Sequence, residues 1–403
     1  MFKLALMVWI CVLVLQESVR TNIIDEMDLS TVQLIKKNGY PVEIYNNIVT
    51  EDGYLLDMYR IPHGKIRKKR KSRNPVLLMH GLLGTSRDYV LTGPEKGLAY
   101  FLADRDYDVW LGNARSTIYS KNHLRLNPDT DSDFWDYSFH EIAIYDLPAK
   151  FAIIKNVTKK ERLSYIGMSQ GTTVFYILAS MKPEYNNYVN VMVALAPVAY
   201  MANFYNPMYR LLAKFEPIWA PLASLIGLHR IPPPPIDQLL VEANRRFCTQ
   251  EGFFQVICAN ILFLSGGYDP LQLNLTVVPA LYEIKRTASI RQLRHYSQNI
   301  NSGLFRQFDF GKKVNLEKYG SPKPPAYNLT KVTAPTALFY SEGDWITHAL
   351  DVETLSEELP NCVYKYKIPY KQFNHYDYLI ANDVVSMVYQ NVFYVLEKYN
   401  KII

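Results

Sequence analysis

The chain has 403 residues, 49% of them apolar and 20% charged, a balance that excludes a disordered protein and supplies enough apolar mass for a large core. Its formal charge of +6 misleads as an average, because Lys65, Arg67, Lys68, Lys69, Arg70, Lys71 and Arg73 form one basic loop, without which the rest is close to neutral. With no basic stripe elsewhere and no interleaved aromatics, the run reads as a solvated loop and not as a nucleic-acid interface.

The chain opens with Lys3 followed by an uncharged, mostly apolar run over residues 4–15, the pattern of a secretory leader. Residues 1–18 are therefore expected to be a signal peptide, although no clear small-x-small pair marks its cleavage point. A membrane span needs about 18 apolar residues, and the longest later candidate, 256–267, is shorter and interrupted by Asn260. No transmembrane segment is expected. Alternating or continuous apolar runs at 41–47, 55–61 and 75–79, bounded by Glu51-Asp52-Gly53, the basic loop and Gly81, read as strands. Further strands are expected at 107–111, 163–166, 189–195, 336–340 and 363–368, separated by helical patterns. Strand and helix in alternation predict a mostly parallel sheet with helices on both faces, an α/β class.

That rhythm stops between about residues 200 and 325, where the text turns rich in aromatic residues, Met and Pro, including the run Pro232 to Pro235. We read 200–325 as a cap and lid insertion, with 19–199 and 326–403 as the core. Phe204, Tyr205, Tyr209, Phe215 and Trp219 lie in its first part, as ordinary packing or as a surface able to meet lipid. Cys11 leaves with the leader. Cys248 and Cys258 are ten residues apart in one segment, which allows a small-loop disulfide in an oxidising compartment and leaves Cys362 single. Asn156, Asn274 and Asn328 each begin an Asn-x-Thr sequon, in keeping with the secretory route. No Cys or His spacing suggests a metal site, and no cofactor is implied.

The chemistry is carried by a predicted strand that ends in Gly167, Ser169 and Gly171 with Gly-x-Ser-x-Gly spacing and runs directly into a helix-forming stretch ending near Met181. This is the signature of a nucleophile elbow, in which a strained turn pushes a serine hydroxyl outward. A hydroxyl needs an imidazole to take its proton and a carboxylate to orient that imidazole, and in α/β-hydrolases the chain order is Ser, then acid, then His. Of the late histidines His295, His348 and His375, only His375 has an independent strand leading to it. Asp344 is the first choice of acid, with Glu342 and Asp351 as alternatives. The N–H of Gln170, after the nucleophile, is one expected oxyanion donor; the second comes from the loop His80-Gly81-Leu82-Leu83-Gly84, with Leu82 the choice. His80 either orients that loop by hydrogen bonding or is a satisfied structural residue.

At this point the chain closely resembles the acid lipase family, which includes gastric, lingual and lysosomal acid lipases. The likeness runs through Gly39-Tyr-Pro, Val49-Thr-Glu-Asp-Gly-Tyr, His80-Gly-Leu-Leu, Gly112-Asn-Ala-Arg, Phe134-Trp-Asp-Tyr-Ser-Phe-His-Glu and Tyr145-Asp-Leu-Pro-Ala. It continues through Ser169-Gln-Gly-Thr-Thr, Ala196-Pro-Val-Ala, Pro325-Ala-Tyr-Asn-Leu-Thr and Asn374-His375. The resemblance implies a glycosylated hydrolase of triacylglycerols or cholesteryl esters with a capped Ser169, Asp344, His375 triad and oxyanion donors at Leu82 and Gln170. It also implies a cap disulfide matching Cys248 and Cys258, with a spacing one residue longer here. Met168 stands where the family usually has His, and Ala114 and Thr117 replace the usual residues after Gly112-Asn113. The expectation is a secreted or lysosomal serine ester hydrolase acting on a lipid ester at a lipid–water interface, with no nucleic-acid partner. An esterase for smaller or unusual esters and a non-catalytic lipid carrier are the rival readings.

Overall fold

Along strand β3 (Pro75–Met79) the side chains of Val76 and Leu78 enter one apolar cluster while Leu77 and Met79 enter another, so the strand is buried on both faces. That two-sided burial is what a near-continuous apolar run dictates in a sheet covered by helices. The structure, a computed structural model, describes residues 27–66, 73–248 and 253–400. The leader 1–18 and most of the basic run, residues 67–72, lie outside the described residues.

Besides β3, the central sheet contains β1 (Glu43–Val49), β2 (Tyr54–Ile61), β4 (Asp108–Gly112), β5 (Asn122–His123), β6 (Leu163–Met168), β7 (Val189–Leu195), β10 (Thr336–Tyr340) and β11 (Cys362–Lys367). Its order is β1-β2-β4-β3-β6-β7-β10-β11, with β5 pairing on β2. From β4 onward every neighbour is parallel, while β1, β2 and β5 pair antiparallel. A separate two-stranded ribbon, β8 (Arg230–Ile231) and β9 (Ala288–Ser289), lies in the chain between β7 and β10. The expected strands are present: those at 75–79, 189–195 and 336–340 keep their expected bounds, and the other five shift by one or two residues at their ends. The first begins at Glu43 and not at Pro41, which has no N–H to give the ladder, and extends to Val49 because Ile48 and Val49 register with Leu56 and Leu55.

Helices α1 (Thr31–Lys37) and α2 (Leu98–Ala103) supply residues to the first cluster, and α3 (Leu147–Thr158) and α4 (Gln170–Met181) to the second. Between β7 and β10 come α5 (Pro207–Lys214), α6 (Glu216–Leu225), α7 (Phe253–Gly266) and α8 (Ile290–Ser302), none followed by a strand of the central sheet. After β10, α9 (Ala349–Glu358) packs on the second face and α10 (Gln390–Asn400) on the first. Cys248 and Cys258 are joined, and Cys362 is free at the start of β11. Among the described residues no helix is long and apolar enough to cross a membrane.

Candidate active site

Because β3, β6, β7, β10 and β11 run parallel, the loops that follow them meet at one edge of the sheet. In open α/β sheets that carboxyl edge is where ligands bind. Ser169 stands there between β6 and α4 with φ 52° and ψ −117°, a conformation that non-glycine residues rarely adopt. The backbone over-determines it: the Ser169 N–H donates to Leu195 O at 3.0 Å, and Ser169 O accepts from the Thr172 N–H at 2.8 Å and the Thr172 hydroxyl at 2.6 Å.

The two flanking glycines are required by close approach. A Cβ on Gly171 would lie 2.1 Å from Met79 O, and one on Gly167 would lie 2.6 Å from the Gly171 carbonyl. Gly81, in the loop after β3, presses on the serine itself, since its Cβ would sit 3.1 Å from Ser169 Cβ and 3.6 Å from Ser169 Oγ. Among the described residues the N–H groups of Leu82 and Gln170 meet no protein acceptor. Gln170 begins α4, where helix N–H groups and the helix dipole favour negative charge.

His80 fixes this loop. Its Nδ1–H donates to Gly81 O at 2.8 Å and its Nε2 accepts the Ala114 N–H at 3.0 Å. Burial pushes the imidazole down to about 4, so it stays neutral and both ring nitrogens serve structure. Ala114 takes part through its backbone, and the Thr117 hydroxyl donates to Ala114 O at 2.8 Å, so both departures from the family pattern form a local turn. Met168, the third, is buried in the same apolar cluster as Ile166, Leu195 and Phe339.

At the neighbouring loops, His375 Nδ1 lies 2.8 Å from Asp344 Oδ2 with both side chains buried. Asp344 Oδ1 accepts the N–H groups of Ile346 and Thr347, each at 2.8 Å, so the carboxylate cannot turn away from the ring. The alternatives are committed elsewhere. Glu342 is exposed and pairs with Lys367 at 2.6 Å, while Asp351 accepts the backbone and side-chain amides of Asn203. His348 caps α9, and buried His295 bonds Ser138 and Arg306 O. Asn374, not His375, caps the turn that follows, its Oδ1 accepting from the Tyr376 and Asp377 N–H groups.

Sequence order gave no hint that the segment between β7 and β10 would supply supports to both halves of the site. Arg286 donates to Leu83 O at 2.9 Å and pairs with Asp88 at 2.7 Å, pinning the His80 to Gly84 loop. Burial alone would raise the Asp88 carboxyl, but the Arg286 charge outweighs it and holds the group below the ordinary carboxylate range. Gly266 O accepts the N–H groups of both Trp345 and His375, at 3.1 and 3.2 Å. The only sequence signal for this second contact is the pair Gly266-Gly267, unremarkable without the coordinates.

An open cavity of about 700 Å³ lies against Trp345, lined by Tyr205, Arg210, Leu211, Lys214 and Asn301 among others. Of the aromatic residues in this part of the chain, Phe204 is buried in a small cluster with Val198 and Met201, whereas Tyr205 and Phe215 are exposed together with Met208, Leu211, Ile218 and Leu222. Among the sequons, Asn156 and Asn328 are exposed and Asn274 is half-buried. Among the described residues no cluster of His, Cys, Asp and Glu is arranged to hold a metal.

Two family models match the chain: a partial α/β-hydrolase lipase region over residues 31–93 and the α/β hydrolase fold over residues 74–219. Lipase 1 of Drosophila melanogaster is 38% identical, covering 94% of this chain and 82% of its own. Human lipase member K is 35% identical over 93% of this chain and 92% of its own, and bovine gastric triacylglycerol lipase 35% over 91% of each. Among solved structures, a putative lipase from Sulfolobus solfataricus aligns with a TM-score of 0.58 at 15% identity, covering 89% of this chain and 94% of its own, which speaks for the fold alone.

Proposed function

The chain belongs to the acid lipase family of α/β-hydrolases, carboxylic ester hydrolases of the lipase kind, and from that premise we propose that it cleaves neutral-lipid esters, triacylglycerols or steryl esters, with Ser169 as nucleophile. The observation that carries the reading is that a serine held at φ 52° and a buried His375 bonded to Asp344 both stand on loops at the same sheet edge. Ser169 Oγ attacks the ester carbonyl carbon as His375 Nε2 takes its proton. The oxygen that becomes negative is met by the N–H groups of Leu82 and Gln170, already free to donate. Collapse breaks the bond to the alcohol, which leaves with the proton from His375. Water, deprotonated by the same imidazole, then attacks the acyl-enzyme and releases the fatty acid and Ser169. Asp344 keeps the proton on Nδ1, so that Nε2 is the basic nitrogen, and stabilises the imidazolium.

Residues 19–199 and 326–403 form the catalytic core in this reading, and 200–325 its cap. The exposed apolar side chains of α5 and α6 supply the surface that meets a lipid–water interface. Residues 1–18 direct the chain into the secretory pathway, toward secretion or the lysosome, where Asn156, Asn274 and Asn328 receive glycans.

The test is hydrolysis of emulsified long-chain triacylglycerol, a steryl ester and a soluble short-chain ester between acid and neutral pH, with Ser169→Ala as control. Turnover of the emulsions, lost in Ser169→Ala, is the expected result. Turnover of the soluble ester alone means an esterase. Folded protein that a fluorophosphonate does not label at Ser169 means a lipid carrier and ends the proposal.

A further inference from the structure

The end of α7 and the segment after it enter the space between the loops that carry Asp344 and His375. A Cβ on Gly266 would lie 2.5 Å from the Tyr376 ring, and one on Gly267, where φ is +121°, would lie 2.2 Å from Gly343 O. Only glycines pass here. Their carbonyls are used on arrival: Gly266 O takes the N–H groups of Trp345 and His375, and Gly267 O takes the Asn374 side-chain amide at 3.2 Å. One residue before them, the Ser265 hydroxyl is 2.8 Å from the Tyr376 hydroxyl.

Two residues after them stands Asp269, fully buried, opposite Asp377, also fully buried. Asp269 Oδ1 accepts from the N–H groups of Leu271 and Gln272 and from the Tyr370 hydroxyl. Asp377 Oδ2 accepts the Asn374 N–H at 2.6 Å. The remaining oxygens, Asp269 Oδ2 and Asp377 Oδ1, meet no donor among the described residues. The two segments run side by side, with Asn374 donating to Gly267 O, the Asn382 N–H to Gln272 O and Leu273 bridging Ala381, so the two carboxyls face each other. Two carboxylates in such contact cannot both stay ionised, so one proton between them satisfies both oxygens.

We propose that Asp269 and Asp377 share a single proton, and that this carboxyl pair, with the carbonyls of Gly266 and Gly267, is the positioning device that holds the His375 loop against Asp344. The cap is then part of the acid–base apparatus and not only its cover. The inference rests on the roles given above to Ser169 and His375.

Asp377 is faced by Asp269 from the cap and by Asp344 from the loop after β10, and it lies next to the Tyr378 phenol; Tyr370 faces Asp269. Tyr376, beside the pair, feels Asp344 and the Arg286 guanidinium. Among the described residues no lysine or arginine forms an ion pair with either carboxyl. Burial first, then the neighbouring carboxylates, push Asp377 up to about 9. A carboxyl raised in this way contributes stability that is complete below the ordinary carboxylate range, near 4, and is lost as pH rises through about 9.

The experiment compares the full-length protein with Asp377→Asn and Asp377→Leu. The amide donates to Asp269 and accepts from Asn374 at every pH. Two readouts are used: the rate of Ser169 labelling by a fluorophosphonate, and the melting temperature between pH 4 and 10 in a Ser169→Ala background. Asp377→Asn is expected to label within about twofold of the parent at pH 5–7. It should lack the parent's alkaline decline of about tenfold per pH unit above pH 9, and its melting temperature should fall less with pH. Asp377→Leu should label at least about tenfold more slowly at all pH values. If Asp377→Asn does not fold, Asp269→Asn makes the same bond from the cap side. Should the asparagine variant share the parent's alkaline limb and melting slope, the shared proton is refuted. Should no protein label while the melting slopes still differ, the carboxyl pair stands and the reading of Ser169 falls.

Discussion

The turn that holds Ser169 and the His375–Asp344 pair sit at one edge of one sheet, yet different means hold them. Around Ser169 nearly everything needed is local: β6, α4, two glycines and the carbonyl of Leu195 on the adjacent strand. His375 and Asp344 lie on loops whose backbone N–H groups reach a carbonyl of a segment about a hundred residues away in the chain, Gly266. The first arrangement is a folding requirement that happens to expose a hydroxyl. The second is an assembly in which the segment between β7 and β10 completes the geometry, so on the proposed function change in that segment is felt as catalysis before it is felt as folding.

Substitution can break or sharpen that contrast. The largest effect is expected where the two arrangements act as one: Ser169→Ala and His375→Ala should each lower kcat by about 10⁴–10⁶-fold, and the double variant should lose little more. A double variant that loses the sum of both would separate the two groups. Gly171→Ala should instead act on folding. With a Cβ 2.1 Å from Met79 O, it is expected to cost about 4 kcal/mol or more, read as collapse of the melting temperature or of the yield of folded protein. If Gly171→Ala folds normally and only slows turnover, the elbow is not a folding requirement.

Arg286→Leu tests the support that the segment between β7 and β10 gives to the His80 to Gly84 loop. Losing the bonds to Leu83 O and Asp88 should reduce kcat about 10²-fold with far less change in KM. The sign of its pH dependence is set by Asp88, whose depressed carboxyl contributes stability above the ordinary carboxylate range and loses it as pH falls further. The variant should therefore lose part of the parent's acid-induced drop in melting temperature.

The smallest effect is expected at Lys150, which is fully buried, has no hydrogen-bond partner among the described residues and is pushed by burial down to about 8. A base lowered in this way costs stability fully below about 8 and not at all above its ordinary value near 10.5. Lys150→Met should raise stability by about 1–3 kcal/mol at pH 7 and below, and by less at pH 10, with activity retained. An equal gain at both values would mean that packing and not charge is responsible.

The contrast also explains how much could be read before the structure. Gly167, Ser169 and Gly171 announce themselves because a strand, a tight turn and a helix follow one another within a few residues, and each leaves its own pattern. The parallel sheet is legible for the same reason, since strands buried on both faces must be apolar throughout. Short pieces such as β5 and β8 left no pattern because two residues carry no periodicity. His375 was favoured because a strand leads to it, but setting aside Glu342, Asp351 and His348 required their actual partners, Lys367, Asn203 and the N-terminus of α9.

By itself, then, the sequence determined the α/β architecture, the strained serine and the family, because each is written in neighbouring residues or in ordered motifs. Only the tertiary structure decided what holds the histidine loop. Gly266, Asp269 and Arg286 act on residues far along the chain through a carbonyl, a carboxyl and a guanidinium. Such long-range hydrogen bonds follow from where the chain returns in space, which spacing along it does not encode.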